Sequence, residues 1–308
     1  MKVYYAFAIL LLLCKVVAAQ DPKLPATNLG LSNLQDGNPP GTGWYYQQYI
    51  QNYQTISNRG PSGAAIGNGK VNSLLSMSQL IHIGKTKMAG GNLGFTVLLP
   101  VVRLSAENNR SQVPTVNPNP LGDIIAGPFV QWFNKKLLGM RYSHRLELDL
   151  VSPIGAYQSL YDVNPGAHLF SVVPHYTFTI FPSEKFSVSM RHHFNYYFNE
   201  LGTRTKPGVS YNFNYSLEYA LTSSLRVELA GYYLKQLAQD SENGDSHYYQ
   251  EKFGISDTRE RVFAYGPGIG YVTPSGLFIE LKEMQEAAAK NRSEGFRTTL
   301  VLSYKLDK

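Results

Sequence analysis

The chain has 308 residues, a formal net charge of +6, and 43% hydrophobic and 13% aromatic content. Charged residues make up only 16%, against roughly 25% in an average soluble domain, while tyrosine (22), phenylalanine (15) and glycine (27) are abundant. This balance disfavours helix bundles and suits strands joined by turns, and the basic residues form no run that could serve as a nucleic-acid footprint.

Residues 1–19 read as a secretory signal: Lys2, the apolar run Ala6–Leu13, then Val17-Ala18-Ala19 as the small-residue cleavage site. Lys15 interrupts the run, which is too short to cross a bilayer as a helix. Cleavage after Ala19 removes Cys14, the single cysteine, and Leu13 stands where a lipidated cysteine needs a small residue before it. The mature chain is then without disulfides, thiolate metal sites or a cysteine nucleophile. Losing Lys2 and Lys15 also lowers the net charge to +4. Residues 20–42 are rich in Pro, Gly and Asn and end in Asn38-Pro39-Pro40-Gly41. They are expected to form a periplasmic lead-in or a short plug, with the barrel occupying residues 43–308.

From Trp44 onward the chain divides into candidate strands of alternating polarity. In Met140–Val151, Met140, Tyr142, Leu146, Leu148 and Leu150 oppose Arg141, Ser143, Arg145, Glu147 and Asp149. In Lys185–Asn199, Phe186, Val188, Met190, His192, Phe194, Tyr196 and Phe198 oppose Ser187, Ser189, Arg191, His193 and Asn195. Val209–Leu221 sets Val209, Tyr211, Phe213, Tyr215, Leu217, Tyr219 and Leu221 against Ser210, Asn212, Asn214, Ser216 and Glu218. The last strand sets Phe296, Leu300, Leu302 and Tyr304 against Arg297, Thr299, Ser303 and Lys305.

Period-two alternation means one wet and one dry face, which a soluble sandwich or lipocalin-like barrel would share. Three features favour a membrane. The strands approach the ~9–11 residues that a tilted strand needs to cross a bilayer. Aromatics cap several apolar sets, as an interfacial girdle requires. Charges sit deep in the polar sets, where a soluble barrel would bury apolar groups. Loop lengths agree. Short links follow strands four, six, eight and ten, and longer ones follow strands one, three, five, nine and eleven. The fold class is therefore all-β, a single antiparallel transmembrane β-barrel of about 12 strands with both ends periplasmic. Ten or fourteen strands stay open, because Trp44–Ile56 and Leu121–Phe133 alternate poorly.

The polar set nominates the lumen lining: Arg141, Arg145, Glu147, Asp149, Arg191, His193, Arg226, Glu228, Glu280, Lys282, Arg297 and Lys305, with Tyr197 and Tyr232 inward as stacking surfaces. In a narrow interior such charges pair across it or stay hydrated, and serve either as a structural ladder or as a selectivity lining. The lumen could also be closed by the N-terminal segment folding inside. His144 and His192 fall on the apolar face, where an outer-membrane lipid hydrolase would need a neighbouring serine. The flanking apolar sets offer none, so no catalytic residue is assigned. His192 and His193 point to opposite faces and cannot share a metal, so no metal site and no cofactor is expected. Gly266-Pro267-Gly268-Ile269-Gly270 lacks the following helix of a phosphate loop and suits glycines facing a crowded lumen.

Several segments resemble the bacterial family named for the meta-pathway of phenol degradation, a group of outer-membrane transporters. The carrying residues are Asn28-Leu29-Gly30 through Pro39-Pro40-Gly41, Gly122-Asp123 with Gly127-Pro128, Gly231–Gln236, Gly266-Pro267-Gly268, and Asn291-Arg292 before Gly295. The C-terminus departs from the usual barrel pattern, since Tyr304 is followed by Lys305-Leu306-Asp307-Lys308 rather than ending the chain. The resemblance implies a bacterial outer-membrane channel for passive uptake of small, aromatic or hydrophobic compounds. Its partners would be outer-membrane lipid, a small-molecule solute and the barrel assembly machinery, with no nucleic acid. The alternative is a plugged barrel acting as a structural anchor or surface receptor.

Overall fold

The computed structural model describes residues 27–32, 34–67, 69–107 and 113–307. The expected signal peptide lies outside the described residues. Twelve long strands follow one another: β1 (Gly43–Arg59), β2 (Lys70–Met88), β3 (Gly91–Glu107), β4 (Ile124–Leu137), β5 (Met140–Ser152), β6 (Leu169–Phe181), β7 (Phe186–Glu200), β8 (Ser210–Ala220), β9 (Leu225–Gln236), β10 (Arg261–Val272), β11 (Phe278–Lys290) and β12 (Arg292–Lys305). Each pairs antiparallel with its neighbours in sequence, and β12 pairs with β1 from Tyr45↔Lys305 to Arg59↔Arg292. The sheet is thus a closed barrel with no free edge, as hydrocarbon requires of any strand-built membrane protein. The expected fold class and strand number hold.

The strands are steeply tilted. Hydrogen-bonded partners lead from Trp44 through His82, Phe95 and Pro128, and later from Tyr211 through Lys235 and Arg261 to Lys290. The circuit closes near Arg59, fifteen residues beyond Trp44 on β1. Such a stagger is the shear that closing a sheet into a barrel demands.

Turn chemistry sorts the two ends. Ala89-Gly90 and Leu138-Gly139 link their strands with both residues at positive φ (49° and 75°, 50° and 81°), the type I′ arrangement that matches strand twist. Residues 182–185, 221–224 and 273–277 complete the short-turn end, with residues 60–67, 113–123, 153–168, 201–209 and 237–260 at the other. The link after β11 corrects the expectation of a long loop, since Asn291 alone separates β11 from β12. The β11–β12 register stops at Gln285↔Phe296, and beyond it each strand stays paired with its other neighbour. The external excursion there is built from strand rather than coil. The long loops are tied together: Thr115 binds Asp162, and Thr205–Lys206 pairs with Ser241–Glu242 beside a short helix α1 (Tyr248–Phe253).

The outer wall carries the apolar set. Leu146, Leu148, Leu150, Leu217 and Leu229 are exposed on it, and rings gather toward both ends. Near the short-turn end Trp44 packs on His82 and Phe95, and Trp132 stacks on His144 at 4.6 Å. Toward the loop end lie Phe194, Tyr211, Phe213 and Phe263. The outward histidines expected from the sequence therefore sit among aromatic rings.

Candidate functional site

The interior is occupied by the chain's own N-terminal segment. Leu29, Leu31 and Leu34 are buried at 3%, 7% and 6% exposure, although a free lead-in would leave them in water. Leu29 packs with Tyr232, Leu234, Val262, Ala264 and Met284, and Leu31 with Tyr49, Met77, Leu98 and Val301. These clusters explain the poor alternation of β1. Its inward residues Tyr45, Tyr49 and Tyr53 are as apolar as its outward ones because part of the lumen is a protein core. On β4 the same interior takes Ile125 and Phe129, and a register shift between Trp132 and Lys135, with Asn134 at φ 48°, ends the regular stretch.

Polar contacts fix the segment from most of the barrel's circumference. Gly30 N–H donates to Asn214 Oδ1 (2.6 Å), Leu34 N–H to Glu280 Oε2 (2.9 Å) and Gly37 N–H to Thr179 Oγ1 (3.0 Å). Gln51 donates to the Leu29 carbonyl, Gln131 to the Gly37 carbonyl, and Asn212 and Asn214 to the Asn28 carbonyl. Lys282 donates to the Ser32 carbonyl. The segment forms no sheet with the wall, so its backbone groups are satisfied by side chains that project inward. Asp36, the one charged residue between Thr27 and Thr42, forms a bidentate pair with Arg191, its Oδ2 lying 2.7 Å from Nε. Gly268 and Gly270 make room: a Cβ on Gly268 would stand 2.3 Å from Glu228, and one on Gly270 2.2 Å from Leu34.

The residues nominated from sequence fall into separate groups. Arg191, Glu280 and Lys282 hold the segment directly, with Lys282 and Glu280 paired at 2.5 Å. Arg226 pairs with Glu218, which also accepts a bond from Gln35, and Glu228 accepts from Ser216 Oγ (2.5 Å). Tyr232 donates to Glu286 (2.6 Å), and Arg297 reaches Tyr232 Oη and Gln51. Arg145, Glu147 and Asp149 cluster on β5 around His175 of β6. His193 receives Asn212 at Nδ1 (3.2 Å), and Tyr197 meets Ser210 Oγ (3.0 Å). Arg141 is exposed at the short-turn rim, over the Phe181 ring, and Lys305 lies at the same rim, 6.0 Å from the Tyr45 ring. Tyr197 and Tyr232 are inward but buried at 5% and 0%, so neither offers an open face in this conformation, Tyr232 lying against Leu29 of the segment.

Sequence reasoning missed Asp36, Gln51, Gln131, His175 and Glu286. Gln51 and Glu286 lie on strands of weak alternation, and His175 lies between apolar neighbours on β6. Asp36 carried a signal that went unused: it is a lone charge in a leucine-bearing segment next to a lumen lined with arginines.

A sequence profile of the family described as "Putative MetA-pathway of phenol degradation" matches residues 54–302. The chain belongs to this family. No curated protein sequence matches the chain. Among solved structures, the COG4313 outer membrane channel from Pseudomonas putida F1 aligns with a TM-score of 0.71 at 15% identity, covering 90% of this chain and 99% of that one. The transport unit of the autotransporter AIDA-I from Escherichia coli aligns at 0.46 with 10% identity, covering 88% and 93%. The KdgM porin aligns at 0.41 with 10% identity, covering 85% and 99%. The family match, the closed wall and its apolar outer face make this an outer-membrane β-barrel of bacteria. Its outward histidines take aromatic partners: His192 Nδ1 lies 2.7 Å from Tyr211 Oη, and His144 lies parallel to Trp132 within 5°.

Proposed function

We propose that this family member is an outer-membrane channel for passive uptake of small, aromatic or hydrophobic compounds, closed in the described conformation by residues 27–38. The observation that carries the reading is the kind of contact the segment makes. It is held by side-chain hydrogen bonds, two leucine clusters and one buried ion pair rather than by strand pairing, so it can leave without opening the wall. Membership of the family and the likeness to the P. putida outer membrane channel support the transport class, and the leucine and tyrosine lining supports an apolar passenger.

Planar-bilayer recording of the mature chain, with and without residues 27–38, tests this. The deletion variant should conduct persistently and the intact chain only in brief openings. Inserted barrels of both kinds that stay silent would refute transport. The second reading, a sealed barrel acting as anchor or receptor, draws on the same many-sided grip on the segment and predicts that silence.

A further inference from the structure

We infer that Glu147, Asp149 and His175 form a binding site for a divalent transition-metal ion on the inner wall. Glu147 and Asp149 are two apart on β5, so both project inward, and Glu147 is the direct cross-strand partner of His175 on β6. One donor atom from each residue lies within 4.8 Å of the other two. His175 Nε2 is 2.9 Å from Glu147 Oε2, and His175 Nδ1 is 3.5 Å from Asp149 Oδ2. Metal–donor bonds of about 2.0–2.2 Å place neighbouring tetrahedral donors roughly 3.3 Å apart, and because one ring nitrogen serves one ion, the three donors close in from their 4.8 Å span when it binds.

A second observation is that unsatisfied buried atoms gather here more densely than around the other buried charges. The His175 side chain is 3% exposed, yet neither ring nitrogen achieves hydrogen-bond geometry with the oxygen it faces, and Asp149 Oδ1 also has no partner. Buried polar atoms are nearly always satisfied, so three such atoms at one place mark a missing partner. The charge count points the same way. Arg145 touches Glu147 at 3.3 Å, while Arg191 is engaged by Asp36, so Asp149 faces no arginine of its own. Two carboxylates and one imidazole suit Zn²⁺ or Co²⁺, whose ligand sets are drawn from these groups.

The test uses the full mature chain in detergent, stripped with a chelator and titrated with Co²⁺ alone, followed by visible d–d absorption. Zn²⁺ competition and calorimetry give the affinity. The expected result is one equivalent of Co²⁺ displaced by Zn²⁺, lost in His175→Ala and weakened in Asp149→Asn by more than the roughly 10–100-fold that changes to outer partners of a metal site cost. Heat-modifiable gel migration establishes that each variant is folded, and Asp149→Asn retains the histidine should His175→Ala misfold. His192→Ala, on the outer wall, should bind as the parent does. The inference is overturned by no saturable uptake at ten equivalents, or by equal uptake in Asp149→Asn and the parent. In that event His175 bridging Glu147 and Asp149 is a structural contact of the inner wall.

Discussion

Replacing Asp36 by asparagine isolates the one ion pair that, among the described residues, holds the N-terminal segment inside the barrel. The Arg191 and Asp36 side chains are only 7% and 6% exposed, so solvent does little to screen the change. The amide keeps the shape and one acceptor but leaves the guanidinium uncompensated. Hydrogen bonds to charged groups contribute about 1.5–3 kcal/mol, and wholly breaking a buried pair costs about 3–5 kcal/mol. The lower range applies here because one contact survives. At about 1.4 kcal/mol per tenfold, the ratio of open to closed barrels should rise between about tenfold and about a hundredfold. Single-channel recording of open fraction reads this directly. Adding Arg191→Gln to Asp36→Asn should then do little more, since both act on one interaction. Arg59→Gln, which breaks a pair with Glu294 at the external rim, serves as the control. An open fraction unchanged by Asp36→Asn, or raised equally by Arg59→Gln, would refute the argument that this pair holds the channel shut.

Two further outcomes test the loops and the wall. Burial pushes the Asp240 carboxyl up to about 6, although Gly208 N–H and the Gln236 amide donate to it. The folded state therefore holds its proton between about pH 3.8 and 6 while the unfolded loop releases it, so docking of residues 237–260 weakens as pH rises through that window. Hydrogen exchange at the Gly208 amide should show more protection at pH 5 than at pH 7 relative to Asp240→Asn, and the reverse order would sink the reading. On the wall, Leu148 faces lipid in mid-β5, so Leu148→Arg should cost about 2–4 kcal/mol in a denaturant titration of vesicle-folded protein. A cost near zero would mean that position is wetted.

The wall was legible in the sequence wherever the lumen side is water-like. Ser189 and Asn195 of β7 and Asn212 and Asn214 of β8 face polar partners, so those strands alternate cleanly and their faces could be assigned from residue type. The method failed on β1 for a physical reason. Tyr45 and Tyr49 face inward because Leu31, Met77, Ile81 and Phe129 give them an apolar interior, and a tyrosine also suits a polar one through its hydroxyl, as Tyr53 does with Glu286 at 2.7 Å under the Arg297 guanidinium. The same ambiguity hid the site. Alternation reports which face is wet, but Asp36 and His175 matter through what reaches them from distant sequence, 155 residues away in the case of Asp36 and Arg191. The charges nominated from parity are mostly where parity put them, yet most engage the N-terminal segment or each other. Any lining they present to a solute thus depends on where residues 27–38 are, and for that reason the single charge in the segment, rather than any charge in the wall, is the informative one to remove.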